Sequence, residues 1–231
     1  MTVYESIASD TVSSRFRLKD PVSALTHFGG FLSSVFLMPV LLIHASSYGW
    51  DTTGMMAFAV FMLSMIILYG ASAAYHSFDI SPRANLILKK IDHLSIFILI
   101  AGSYTPVCIC GLGNTKGIVL LSAIWITAAA GMIFKLFFVA CPRYVSSVVY
   151  MFMGWMCLAV LPDLYAALGP GGFGLLLAGG LFYSAGSLIY ARKKEMISFP
   201  GFGNHELFHC FVLAGSLCHY LFMYLFLIPH L

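Results

Sequence analysis

Two histidines at helical spacing stand near the end of the chain, in the stretch FGNHELFHCF at residues 202–211. His205 and His209 are four residues apart, so on a helix both rings project from the same side. The stretch also contains His-Glu-x-x-His, in which soluble zinc proteases use the two histidines as ligands and the glutamate as general base. Those proteases need a third ligand, and no acidic residue follows Glu206. The pattern therefore indicates a metal site without establishing a protease.

The elements that position these residues follow from the apolar character of the chain. Hydrophobic residues make up 60% of the 231 residues and charged residues only 9%, which excludes an ordinary soluble domain. A transmembrane helix needs about 20 apolar residues, and seven charge-free runs can each hold one: 21–50, 52–78, 93–115, 117–134, 144–162, 164–191 and 207–231. The runs also lack the alternation of apolar and polar residues that is typical of the strands of a membrane β-barrel. We predict an all-α membrane protein, a bundle of seven transmembrane helices over 21–231 after a polar tail at 1–20.

The basic residues predict the orientation of this bundle, because cytoplasmic loops carry excess lysine and arginine. With seven spans, Lys116 alone falls on one face, and the other eleven basic residues fall on the opposite face: Arg15, Arg17, Lys19, Arg83, Lys89, Lys90, Lys135, Arg143, Arg192, Lys193 and Lys194. The N-terminal tail is therefore expected in the cytoplasm and the C-terminus outside, in the inner (plasma) membrane of a cell. The net charge of +3 then reflects topology, and no nucleic-acid partner is expected.

The same topology brings polar residues from three spans to one place. Odd-numbered helices begin, and even-numbered helices end, at the cytoplasmic face, so His76 near the end of span 2, Asp92 at the start of span 3 and the two histidines of span 7 lie at similar depth. Ser72 is one helical turn before His76 and on the same side. Ionisable groups inside a bilayer are costly unless they are paired or functional. We therefore predict a metal site formed by His76, His205 and His209, toward the cytoplasmic side, with Asp92 and Ser72 close by.

Three imidazoles and a water molecule are the ligand set of an open, catalytic zinc site, whereas a structural site is closed by a fourth protein ligand. Zinc lowers the pKa of its water and polarises carbonyls, which suits hydrolysis of an amide or ester. Asp92 would hold the water or move its proton, and Ser72 would bond to the water or the developing oxyanion. Iron, nickel and copper also accept histidine ligands. A single intramembrane histidine, by contrast, is more often an interhelical hydrogen-bonding group.

The roles of the other histidines and of Glu206 stay open. His27 either takes part in the site or anchors the end of its helix, and His219, about four turns from His205, would line the same cavity. The remaining positions are expected to pack or to face lipid and the membrane interface: His93, which points about 100° away from Asp92, and His44 and His230 on the opposite face.

Four segments resemble the bacterial hemolysin III branch of the progestin and adiponectin receptor family: ALTHFGG (24–30), YGASAAYHSF (69–78), KIDHLSIFILIAGSYTP (90–106) and HELFHCFVLAGSLCHY (205–220). The resemblance implies seven helices, a cytoplasmic N-terminus and zinc held by His76, His205 and His209, with Asp92 and Ser72 beside it. Family members and the related alkaline ceramidases imply hydrolysis of a lipid amide such as a ceramide. One departure is Ser23, where related sequences often carry asparagine before the Thr-His pair.

These observations favour a zinc-dependent membrane hydrolase that acts on a lipid amide or ester. The alternative is a non-catalytic sensor or regulator of the membrane state, in which a structural zinc braces the helices and a lipid is the ligand. A cytolytic pore has little support, because the sequence has no secretion signal, no amphipathic segment and no ring of charge to line a channel. The oligomeric state stays open.

Overall fold

The computed structural model describes residues 18–192, 194–197 and 199–230. Most of the predicted tail at 1–20, with Arg15 and Arg17, lies outside the described residues, and so does Lys193. The described chain is helical, with one isolated β-bridge between Phe199 and Phe202 and no strand. Its seven α-helices are α1 Pro21–Ser47, α2 Thr52–Ser77, α3 Pro82–Pro106, α4 Thr115–Phe137, α5 Arg143–Gly154, α6 Leu161–Ala191 and α7 Asn204–Phe222. Short π-helical segments extend α3 over Val107–Leu112 and α7 over Met223–Leu227.

Six segments of the described chain are long and apolar enough to cross a membrane, and one of them runs from Arg143 to Ala191. This segment holds both α5 and α6, joined by a 3-10 segment over Met156–Val160, and α6 is interrupted at Gly169, whose backbone is non-helical with a φ of 64°. The Ser147 hydroxyl donates to the Ser187 carbonyl oxygen at 3.0 Å, and the Trp155 indole N–H donates to the Ser184 hydroxyl at 2.9 Å. The first contact joins the start of α5 to the C-terminal part of α6, and the second joins the end of α5 to a residue three positions earlier in α6, so α5 lies antiparallel beside the C-terminal part of α6. The chain is a multi-pass membrane protein.

The third helix begins eleven residues before the charge-free run that predicted it. Ser81 caps it by accepting a hydrogen bond from the Ala84 amide at 3.2 Å, and Pro82 occupies its first turn, a favoured helix start. Asp92 therefore lies about three turns inside α3 and not at its beginning as predicted. The first turns carry Arg83, Lys89 and Lys90, and these charges ended the apolar run without ending the helix.

Glycines allow close helix contacts at several positions of the bundle. An added β-carbon at Gly131 would overlap with the Phe97 ring, and one at Gly215 with the Tyr183 ring. Gly179 and Gly186 are similarly close to side chains of α7. In contrast, an added β-carbon at Gly154 or Gly180 would meet nothing within 4 Å. Those two glycines border a cavity and do not bring helices together.

One end of the bundle is tied together by contacts from the start of α1. The Asp20 amide donates to the carbonyl oxygen of His76 at 2.9 Å, in the last turn of α2. The Ser23 hydroxyl donates to the Glu206 carboxylate at 2.7 Å, and that carboxylate also accepts the Gly203 amide at 2.8 Å. Glu206 thus caps the N-terminus of α7, where unpaired amides need acceptors. The candidate site lies among these helix ends.

Candidate metal centre

The three histidines predicted to converge do lie together. His76, His205 and His209 each place a ring nitrogen within 4.8 Å of the other two. The Nε2 atoms of His76 and His205 are 3.1 Å apart. His76 and His209 are each 2% exposed, and His205 is half-buried. The cluster joins the end of α2 to the first two turns of α7.

The donor set fits a small divalent cation. Zinc binds imidazole nitrogen at about 2.0–2.1 Å in tetrahedral geometry, which places two ligand nitrogens roughly 3.3 Å apart. The 3.1 Å between His76 and His205 is close to that separation. Two imidazole nitrogens without a proton between them repel at this distance, and a shared cation removes the conflict. The cluster could therefore hold a metal ion, although three imidazoles do not determine which one.

Asp20 supports this cluster, and the sequence reasoning missed it. Its carboxylate Oδ2 lies 2.8 Å from Nδ1 of His76. A carboxylate can only accept, so Nδ1 carries the proton and Nε2 keeps its lone pair toward the other two histidines. A ligating histidine commonly has such a carboxylate partner, which fixes its tautomer and ring orientation. The one available signal was the position of Asp20 directly before Pro21, at the same end of the bundle as His76.

Asp92 and Ser72 lie beside the cluster and not within it. Both side chains are buried, at 9% and 2% exposure. They line one cavity together with His205 and His209. Asp92 does not belong to the group of mutually close ligand atoms. The arrangement therefore separates three candidate ligands from a neighbouring carboxylate and hydroxyl.

His27 and His93 also reach this region. The ring of His27 stacks on that of His209, with centroids 3.6 Å apart and planes 11° from parallel. His27 is 3% exposed, and neither ring nitrogen makes a well-formed hydrogen bond with a described residue. His93, which we expected to pack or to face lipid, lines the cavity as well. Glu206 is not among the lining residues, and its contacts are those of a helix cap.

The cavity runs from the polar cluster into the apolar interior of the bundle. It offers about 130 Å³ of water-accessible space. Ser72, Asp92, His205 and His209 are among its lining residues, and so is His219, whose role the sequence left open. Much of the wall is apolar and includes Leu68, Ile96, Ile100, Leu99, Phe208 and Val212. The cavity therefore combines a few polar side chains with a mainly apolar wall, as ligand-binding cavities commonly do.

Comparisons with known proteins place the whole chain in one family. The model of the haemolysin-III-related family matches residues 16–220. The Hemolysin-3 homolog of Bacillus subtilis (strain 168) is 40% identical over 204 residues, which are 87% of this chain and 91% of that protein. Hemolysin-3 of Bacillus cereus is 36% identical over 219 residues, 95% of this chain and 96% of that protein. The adiponectin receptor protein of Drosophila melanogaster is 27% identical over 189 residues, 74% of this chain and 42% of that protein. The chain therefore belongs to the haemolysin-III-related family, within the wider progestin and adiponectin receptor family.

Proposed function

We propose that this protein is a zinc-dependent membrane hydrolase that cleaves a lipid amide or ester, in the manner of a ceramidase. One observation carries the proposal: three histidine nitrogens lie within 4.8 Å of one another, and two of these histidines, His205 and His209, share the wall of a largely apolar cavity with a buried aspartate and serine. A merely structural zinc site would have a fourth protein ligand in place of this open side. Hydrolysis requires a general base near the ligand position that no protein group fills, and we assign that role to the Asp92 carboxylate.

Asp92, Ser72 and the apolar wall of the cavity each have a separate role in the proposed hydrolysis. Zinc, when bound, lowers the pKa of a water molecule and polarises a carbonyl oxygen. The Asp92 carboxylate accepts the proton of the attacking water and returns it to the leaving nitrogen or oxygen. Ser72, which lines the same cavity as Asp92, can orient that carboxylate or donate to the developing oxyanion. The apolar wall holds the acyl chain and limits the access of bulk water.

We also propose the orientation predicted from the sequence. The chain crosses the inner membrane seven times, with two spans inside 143–191 that meet near Gly169, the N-terminus in the cytoplasm and the C-terminus outside. The non-helical backbone of Gly169 and the antiparallel contacts of α5 with the C-terminal part of α6 support two crossings there, because 49 residues in one straight helix would extend about 74 Å. The metal centre lies at the end of the bundle near Lys19, Lys89 and Arg143, which favours its position on the cytoplasmic side.

A non-catalytic lipid sensor is the second candidate, and one feature favours it. The cluster joins α2 to α7, and Asp20 and His27 add contacts from the start of α1. A metal ion there would brace three helices and could stabilise one arrangement of them. Substitution of Asp92 by alanine separates the two functions, because a bracing metal needs only the histidines. Retained cellular function in that variant would count against catalysis.

The test begins with metal content of the detergent-purified protein, measured by plasma mass spectrometry. We expect about one zinc per chain in the wild type, its loss when His76, His205 and His209 are all changed to alanine, and its retention in His44→Ala. His44 is a suitable control because its ring bonds to the Tyr224 carbonyl oxygen, away from the cluster. The metal-loaded protein is then offered a panel of lipid amides and esters. No turnover of any of them, with zinc verified, would refute the hydrolase.

A further inference from the structure

His219 lies between two cavities inside the bundle. It lines the cavity of the metal centre and also a second one, of about 70 Å³, that reaches Leu164, Phe173 and Leu176 of α6. It is ten residues after His209 on α7, which places it about 15 Å farther along the helix. Its exposure is only 7%. An imidazole at this depth needs a hydrogen-bonding role for each ring nitrogen.

One of the two nitrogens has its role within the protein. Nε2 of His219 lies 3.3 Å from the carbonyl oxygen of Leu176. A carbonyl oxygen only accepts, so Nε2 carries the proton and Nδ1 of the neutral ring is an acceptor. Nδ1 is buried and has no hydrogen-bond partner among the described residues. The Nε2 and Cδ2 edge of the ring faces Gly179, where a β-carbon would overlap with it, so Nδ1 is on the edge turned away from that part of α6.

The neighbouring polar groups cannot satisfy Nδ1, because their donors are already engaged. Side chains common to both cavities include Ser103, Tyr104 and Trp155. The hydroxyl of Ser103 donates to the Ile100 carbonyl oxygen at 2.8 Å, and that of Tyr104 donates to the Gly154 carbonyl oxygen at 2.6 Å. The indole N–H of Trp155 donates to Ser184. His219 therefore contributes an unused acceptor to a junction whose other walls are mainly apolar.

We propose that the two cavities together bind an acyl chain that carries a hydroxyl group part-way along its length, and that Nδ1 of His219 accepts the hydrogen bond of that hydroxyl. This inference rests on the proposed lipid function and narrows its ligand class. The polar head of the lipid lies near His205 and His209, and the apolar chain follows the wall toward His219. An unsubstituted chain leaves the buried acceptor unsatisfied, which is unfavourable.

The test compares the binding of two probes to the full-length, zinc-loaded protein in detergent. The probes are stearic acid and a hydroxystearic acid whose hydroxyl lies near the middle of the chain, and each is a carboxylic acid of the type that lipid hydrolysis releases. Isothermal titration calorimetry is expected to give about tenfold tighter binding of the hydroxylated acid, the worth of one buried hydrogen bond. In His219→Leu, which removes the acceptor and keeps an apolar side chain, the preference should disappear.

His44→Leu is the matched control, because His44 also faces a backbone carbonyl oxygen but lines neither cavity. It should keep the wild-type preference, and all samples should hold the same amount of zinc. Equal affinity of the wild type for both acids would overturn the inference while leaving the lipid function intact, and would indicate that a buried water satisfies Nδ1. A preference that survives in His219→Leu would overturn it as well. No binding of either acid to zinc-loaded protein would reject the inference together with the lipid function on which it rests.

Discussion

Replacement of Asp20 by alanine should weaken metal binding without touching any of the three candidate ligands. The carboxylate holds Nδ1 of His76 at 2.8 Å and so fixes which nitrogen faces the cluster. Loss of such an outer partner typically costs 10–100-fold in metal affinity, which is about 1.4–2.7 kcal/mol. The side chain of Asp20 is 43% exposed while that of His76 is 3% exposed, so solvent screens part of the interaction. We therefore expect the lower end of the range, about tenfold.

A backbone hydrogen bond of Asp20 helps to separate the effect of its carboxylate from a change in the fold. The Asp20 amide still donates to the His76 carbonyl oxygen after the side chain is removed, so the end of α2 should keep its structure. Asp20→Asn keeps an oxygen that can accept from Nδ1 but lacks the charge, and should lose only a few-fold in affinity. The affinity is measured by competition with a zinc-binding dye, beside Asp163→Ala. Asp163 pairs with Lys116, which lies at the start of α4 and away from the histidine cluster. We therefore expect Asp163→Ala to bind zinc with the wild-type affinity.

Two outcomes would refute the reasoning about Asp20. Unchanged affinity in Asp20→Ala, with an unchanged melting temperature, would mean that packing alone orients His76. An effect in Asp20→Asn as large as in Asp20→Ala would mean that charge matters and tautomer selection does not.

Three further predictions concern the site and its packing. Asp92→Asn should keep zinc but lower turnover of the lipid substrate by about 10²–10⁴-fold, and equal turnover in both proteins would exclude Asp92 as the base. Glu206→Ala should lower the melting temperature, by the equivalent of about 1 kcal/mol for a lost helix cap, while metal content stays at the wild-type level; loss of metal would instead support a protease-like role. Gly131→Ala should destabilise the protein by about 1–3 kcal/mol because its β-carbon would meet the Phe97 ring, whereas Gly29→Ala, which meets nothing within 4 Å, should stay neutral or stabilise.

The convergence of the three histidines could be predicted from the sequence because it depends on two robust patterns. Long apolar runs define the helices, and the order of the helices determines which ends meet. The four-residue spacing of His205 and His209 then places both rings on one face. None of these steps needs the path of a loop or the rotamer of a side chain. The same reasoning left the role of His219 open, and the structure places it on the wall of the cavity.

The parts that could not be predicted depend on local detail. The start of α3 was set too late because charges interrupt an apolar run but do not break backbone hydrogen bonds. The Ser81-Pro82 pair was the better signal. The sequence did not place His93 beside the cavity, because a 100° offset from Asp92 is smaller than the arc of α3 that borders it. Asp20 is 56 residues from His76 in sequence, and no spacing rule connects an irregular segment to the end of another helix.

The role of α1, which the sequence left open, follows from three contacts taken together. Asp20, Ser23 and His27 are spaced three and four residues apart, so they lie along one side of the start of α1. Asp20 holds His76, Ser23 holds the Glu206 cap of α7, and His27 stacks on His209. Each contact therefore supports a candidate ligand or the helix turn that carries one. Serine suits this position because its hydroxyl donates a hydrogen bond, and a donor is what the Glu206 carboxylate requires. The first helix supplies no ligand to the cluster, but it sets the orientation of the residues that do.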